Sequence, residues 1–206
     1  MMSVDGSPED VTVIKDWPGG LHGLQHLEKI PSRIAFAKEN EGMREDKFGY
    51  DVPPGSRSYS WTKLLLDNSR DRDEWEGDEL TEKLRTGLME IPVDMTPEDV
   101  ATAFLTKVYD YTIEHIERRM PSSYLAATPM DFWFTVPAMW EESAKDATLR
   151  IARNAGFGRR DGDTLSIITE PEAAAIAVLS QAIERNSNVI KVCNHAKRTP
   201  DHQLTA

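Results

Sequence analysis

Apolar positions are not spread evenly along this chain; they gather in short stretches whose spacing predicts a mixed α/β fold. Val11 to Ile14 alternates after the turn-forming Asp5-Gly6-Ser7-Pro8 and predicts a short strand. Trp17-Pro-Gly-Gly20 then breaks the chain, and Ile30 to Phe36 predicts a second strand. From Asn40 to Tyr59 the sequence is polar and turn-rich around Pro53-Pro54-Gly55. Two helices are expected next, a short one over Trp61 to Leu66 and another over Asp78 to Met89.

The clearest long helix starts at Thr96. Thr96-Pro97-Glu98-Asp99 supplies an N-cap, a proline at the first helical position and two acids at the positive end of the helix dipole. Val100, Ala101, Phe104, Leu105, Val108 and Ile116 form a broad apolar stripe, and Arg118, Arg119 and Pro121 close the element. Asp131-Phe-Trp-Phe-Thr-Val136 is apolar on both faces after its first residue, which predicts a strand buried on both sides. Pro137 ends it, because proline lacks the N–H that a ladder needs. Glu141 to Ala155 predicts a helix with Ala144, Ala147, Ile151 and Ala155 on one face, stopped by Gly156. A strand from Leu165 to Ile168 and a helix from Pro171 onwards come next. This order implies a parallel pair joined by a right-handed crossover. The tail from Glu184 to Ala206 is polar and without clear periodicity, and is expected to be loose.

Charge narrows the function classes. The 206 residues carry a formal charge of −11, which opposes a phosphate backbone as partner, so nucleic acid is not expected. Arg118, Arg119, Arg159 and Arg160 fall near expected helix ends, where cations answer the dipole. The single cysteine, Cys193, cannot make an internal disulfide. No apolar segment follows Met1 and no run is long enough to span a bilayer, so a soluble cytoplasmic protein without a membrane partner is expected.

Few residues combine into recognisable chemistry. His22 and His26 have the four-residue spacing of metal ligands on a helix, but the surrounding glycines and Pro18 favour a loop with solvated histidines. Cys193, His195 and His202 offer only one thiolate, too little for a zinc site. Trp17-Pro-Gly-Gly-Leu-His-Gly23 matches neither the dinucleotide fingerprint nor the phosphate loop ending in Gly-Lys-Ser/Thr, and a plain turn is favoured. Thr169-Glu170-Pro171-Glu172 has the capping-box pattern, with Thr169 and Glu172 reciprocally bonded. Glu170 has no part in that box. A carboxylate at the C-terminal end of a parallel strand stands where open α/β sheets bind ligands, which makes Glu170 a functional candidate.

Several blocks resemble a known family. Val136-Pro-Ala138, the helix running from Ser143-Ala-Lys-Asp-Ala-Thr148 to Ala155-Gly156, and Ile168-Thr-Glu-Pro-Glu-Ala-Ala-Ala-Ile-Ala177 resemble the actin-like ATPase domain of the 70-kilodalton heat-shock chaperones. The last block is similar to that family's I-N-E-P-T-A-A-A-I-A segment, with Thr169 in place of Asn and Glu172 in place of Thr. Pro97-Glu-Asp-Val100 and Leu105-Thr-Lys107 resemble the helix before the Val-Pro-Ala strand. Ser60-Trp-Thr-Lys-Leu-Leu65 resembles the segment bearing the family's catalytic lysine. The Trp-Pro-Gly-Gly and Gly-Tyr-Asp-Val-Pro-Pro-Gly-Ser wording is closest to divergent fungal-type members.

The resemblance implies an α/β fold of the actin-like ATPase (ribonuclease H-like) type, truncated to most of its first lobe. Residues 1–36 would be the remnant of the N-terminal hairpin strands and residues 37–120 an inserted, mainly helical subdomain. Residues 121–183 would be the strand–helix–strand–helix part, and residues 184–206 a polar tail. It further implies Lys63 near the γ-phosphate and attacking water, Glu170 facing the hydration shell of magnesium, and Pro137 as an interdomain switch. The cofactors implied are ATP and magnesium, and the partners co-chaperones or other proteins.

Neither D-x-G-T-T nor D-x-G-G-G-T, the family's two phosphate loops, occurs in the sequence. A fragment that is not an ATPase by itself is therefore expected, with a non-enzymatic interaction module as the alternative and an unrelated α/β hydrolase using Glu170 as a third possibility. Without the first hairpin, Phe132, Trp133 and Phe134 would lose a neighbour, at about 1.5–3 kcal/mol for each large side chain left exposed. A marginal protein with an unpaired, aggregation-prone edge is the expectation.

Overall fold

The computed structural model describes residues 12–20, 28–60, 63, 66 and 91–185, with the side chains of residues 181–185 excepted. Within these the chain is a mixed α/β fold. Three short strands, β1 (Arg33–Ala35), β2 (Lys47–Phe48) and β3 (Tyr59–Ser60), form an antiparallel sheet in the order β2-β1-β3. Two longer strands, β4 (Asp131–Val136) and β5 (Thr164–Thr169), form a parallel pair. Four α-helices complete the set: α1 (Pro97–Glu117), α2 (Ser122–Ala127), α3 (Glu142–Ala155) and α4 (Glu170–Arg185).

Helix α1 is the spine. Its start is the expected one: Thr96 accepts from the Asp99 amide, and the Asp99 carboxylate accepts from the Thr96 amide at 2.8 Å. Those bonds to Thr96 hold the Asp99 carboxyl below the usual carboxylate range. At this end Val100 packs with Ile34, Phe36 and Tyr59, so the small sheet leans on the first turns of α1. Further along, Leu105, Val108 and Tyr109 pack against the cluster of Ala152, Ala155 and Phe157, as do Phe132, Phe134 and Leu165 of the parallel pair. Phe157 is the centre of this second core, with its ring 5.0 Å from those of Tyr109 and Phe134 and 5.2 Å from that of Phe132. These edge-on contacts suit aromatic quadrupoles. The Trp17–Gly20 turn lies across the far end of α1: Trp17 stacks 5.3 Å from Tyr111, and Asp16 Oδ1 lies 3.2 Å from His115 Nδ1.

Several expectations are corrected. Over Val11 to Ile14 only Thr12 makes a bridge, Val11 lying outside the described residues. The strand expected from Ile30 contracts to Arg33–Ala35, because Pro31 offers no N–H and its carbonyl closes a turn with the Arg33 amide. The polar stretch after Asn40 contains β2 and the start of β3, and the described part of residues 37–60 is strand and 3₁₀ turn rather than α-helix. β1 pairs antiparallel with both β2 and β3. The helix of Asp78 to Met89 and most of the one at Trp61 to Leu66 fall outside the described residues, as do His22, His26, Cys193, His195 and His202. Helix α4 begins one residue before Pro171 and runs to Arg185.

The largest correction concerns β4. Phe132 and Phe134 face the core, but Asp131, Trp133 and Thr135 are exposed, Trp133 at 63%. An apolar run implied burial on both sides; on the other face Asp131, Trp133 and Thr135 stay exposed. Among the described residues β4 pairs only with β5. Arg160 reaches a helix end, though not that of the helix preceding it. It donates to the carbonyl of Thr128, the C-cap of α2, and lies 3.3 Å from Asp163, whose covered carboxylate accepts from the Met130 amide at 2.8 Å.

Gly156 ends α3 at φ +120, where a side chain would strain the backbone and a Cβ would stand 2.7 Å from the Tyr109 ring. Gly156→Ala is expected to destabilise the fold by about 2 kcal/mol or more, read as a lower urea midpoint. An unchanged midpoint would contradict the packing described between α1 and α3.

Candidate functional site

The parallel pairing places the C-terminal ends of β4 and β5 side by side, with Val136 opposite Thr169. The segments leaving the two strands are therefore neighbours in space: the Pro137–Trp140 turn after β4, and Glu170 opening α4 after β5. The turn is closed by the Trp140 amide donating to the Pro137 carbonyl at 3.2 Å. Trp140 is buried with Val136 and Ala144, and Leu66 and Ile167 pack against the same cluster. Leu66 thus brings its own segment of chain to this end of the pair, and Lys63 lies three residues before it.

Lys63 and Glu170, both singled out from the sequence, meet here. Lys63 Nζ lies 3.0 Å from Glu170 Oε1 and donates to the Thr135 carbonyl at 3.3 Å. The indole of Trp140 is beneath the same ammonium, 5.5 Å from ring centroid to nitrogen. Both charged side chains are about half exposed. Pro137 is at the same end, one residue beyond β4. Trp140 had no motif to mark it; its proximity to Lys63 depends on the fold.

Glu172 behaves as the capping pattern predicts. Its carboxylate accepts from the Thr169 hydroxyl at 2.7 Å and from the Thr169 amide at 3.0 Å. These bonds hold the Glu172 carboxyl below the usual carboxylate range, helped by the charge of Lys145. Glu170 remains outside this box, with its carboxylate turned to Lys63.

The charges define what the site can accept. The α4 N-terminus and the Lys63 ammonium attract anionic oxygens, whereas the carboxylates of Glu170 and Glu172 oppose them. A phosphate accompanied by a divalent cation satisfies both tendencies. Among the described residues no cluster of three or more His, Cys, Asp or Glu can hold a metal ion directly. The donor set therefore does not fit a cation ligated by several side chains, but fits a hydrated magnesium facing Glu170, since magnesium usually keeps several of its waters. On the outer side, β5 and α4 frame a shallow groove lined by Ile167, Ile168, Ala175, Ile176 and Leu179. Among the described residues no helix is long and apolar enough to cross a membrane.

No family model matches the chain. In sequence it is similar to heat shock 70 kDa protein 12A of Mus musculus, 26% identical over 200 residues, which cover 89% of this chain and 27% of that protein. The protein of the same name from Homo sapiens is 25% identical over 197 residues, covering 87% of the chain and 27% of its own length. This chain thus spans about a quarter of the length of the curated relatives it matches, 27% in each case. The similarity supports a distant heat-shock-70-like, actin-fold relation over most of the chain.

Because the folded-state value of the Glu172 carboxyl is depressed, the stabilisation it gives α4 is complete above the ordinary glutamate range. It is lost as pH falls through the lowered value. Thr169→Ala should move the Glu172 titration up towards the ordinary glutamate value, followed by carboxyl-carbon NMR. A titration indifferent to that substitution would rule out the capping box as its cause.

Proposed function

We propose that this chain carries the lysine–carboxylate edge of a magnesium-nucleotide site belonging to a heat-shock-70-like, actin-fold ATPase. The observation that carries this is the meeting of Lys63 Nζ and Glu170 Oε1 at 3.0 Å, across 107 positions of sequence, at the C-terminal end of a parallel strand pair. The similarity to heat shock 70 kDa protein 12A supports the same assignment.

Phosphoryl transfer needs positioning and charge neutralisation more than covalent chemistry, and the two residues divide that work. Lys63 presents a cation to the terminal phosphate oxygens and a donor to the attacking water. Glu170 orients the lysine and faces the waters around magnesium, which when bound neutralises phosphate charge. Pro137, directly after β4, is the residue through which occupancy at this end is passed to a neighbouring domain.

The sequence holds neither D-x-G-T-T nor D-x-G-G-G-T, so the backbone cradles for two phosphates are not supplied by these 206 residues. This chain alone binds magnesium-ATP weakly and does not turn it over. A second function, a protein-interaction module with co-chaperones or other proteins as partners, is favoured by one observation. Trp133, Ile176, Val178 and Leu179 are all exposed large apolar side chains, at 63%, 56%, 65% and 45%. Such residues usually mark contact surfaces when they lie together.

Titration of the chain with magnesium-ATP, followed by NMR, tests the nucleotide assignment. Millimolar binding is expected, with shifts at Lys63 and Glu170 that Lys63→Ala and Glu170→Ala each abolish. Micromolar affinity, or shifts that survive both substitutions, would overturn it. No shift at either residue, together with stabilisation by a protein partner, would favour the interaction module.

A further inference from the structure

Three electron-rich groups surround the Lys63 ammonium, and they come from three places in the chain. Glu170 brings a carboxylate from the start of α4, Thr135 a carbonyl from β4, and Trp140 an aromatic face from the turn between β4 and α3. The first two are ordinary hydrogen-bond partners of a lysine. Trp140 is different, because its burial among Val136, Ala144, Leu66 and Ile167 needs only an apolar side chain of suitable volume. Burial does not require that the ring present its face to a cation.

The ion pair cannot hold Lys63 by itself. Both partners are about half exposed, and exposed pairs contribute little because water screens them and two long side chains lose freedom. Lysine adds a flexible four-carbon stem with a point charge that has no preferred plane. An indole already fixed by its own packing costs no further ordering when an ammonium settles over it. Trp140 is fixed in this sense: it is only 7% exposed, and its amide closes the Pro137 turn. Leu66 rests on the cluster that contains Trp140, three residues after the lysine that lies over its ring.

We infer that Trp140 is a positioning residue whose ring face holds the Lys63 ammonium between Glu170 and the Thr135 carbonyl. Its role in catalysis rests on the assignment of Lys63 and Glu170 as the phosphate- and magnesium-facing pair. The clamp itself exists without nucleotide. It places the lysine before any ligand arrives, so that little ordering remains when a phosphate oxygen approaches.

The test compares Trp140→Leu, which keeps apolar volume but removes the π face, with Trp140→Phe, which keeps a weaker one. The readout is the rate at which an N-hydroxysuccinimide acetate modifies Lys63 in nucleotide-free protein, measured by peptide mass spectrometry against Lys107 in the same sample. In Trp140→Leu the Lys63 rate relative to Lys107 should rise about two- to five-fold, with Trp140→Phe in between. A general loosening of the fold would raise both lysines together and would overturn the inference, as would an unchanged Lys63 ratio. Should Trp140→Leu not fold, the wild-type spectrum decides: Lys63 ε-protons shifted upfield by the indole ring current support the clamp, and unshifted ones refute it. Because no nucleotide is present, failure of the clamp leaves the ATPase assignment standing. Failure of the magnesium-ATP titration leaves the clamp standing.

Discussion

The parallel pairing of β4 with β5 is the constraint on which the site depends. A parallel pair needs a crossover long enough to return the chain to the same end, and α3 with its flanking turns provides it. The consequence is geometric: both strands finish together, so Thr135, Pro137, Trp140 and Glu170 are gathered without any direct link between them. Register is set at the other end, where Asp163 accepts from the Met130 amide and the Thr164 amide donates to the Met130 carbonyl at 2.9 Å. A slip of one residue would turn Phe132 and Phe134 away from Phe157 and expose the core. It would also separate Glu170 from Lys63.

Around that pairing the fold is unevenly supported. The inner face has two helices and a tight aromatic cluster centred on Phe157. The outer face has exposed Trp133, and α4 leaves Ile176, Val178 and Leu179 largely in solvent. Parallel sheets are ordinarily covered on both faces, and here the described residues leave Trp133 on the outer one in solvent. The Lys63–Glu170 pair lies at the end of the sheet, where it is reached from solvent.

Local sequence carried the elements whose signals are local. The Thr96 N-cap, the Thr169 capping box, the one-sided apolar face of α3 and its Gly156 stop were legible because each is written within a few adjacent residues. Strands β2 and β3 were not, since two-residue strands in a polar stretch are created by pairing with β1 rather than by their own pattern. Trp133 was misjudged because an apolar run reports what a strand can bury, not what covers it. Glu170 was suggested by its position after a strand. Lys63 came only from family likeness, for no spacing rule relates two residues 107 apart. Trp140 carried no signal at all, because its meaning depends on a lysine brought by another segment.

The central claim is that Lys63 and Glu170 are in contact in the folded chain. Zero-length carbodiimide coupling tests it directly, since the reagent joins an amine to a carboxylate only where the two touch. The predicted result is a Lys63–Glu170 isopeptide link in native protein, found by mass spectrometry and lost when the protein is unfolded in urea before coupling. Absence of that link from the native protein, or equal yield in the unfolded chain, would contradict the account.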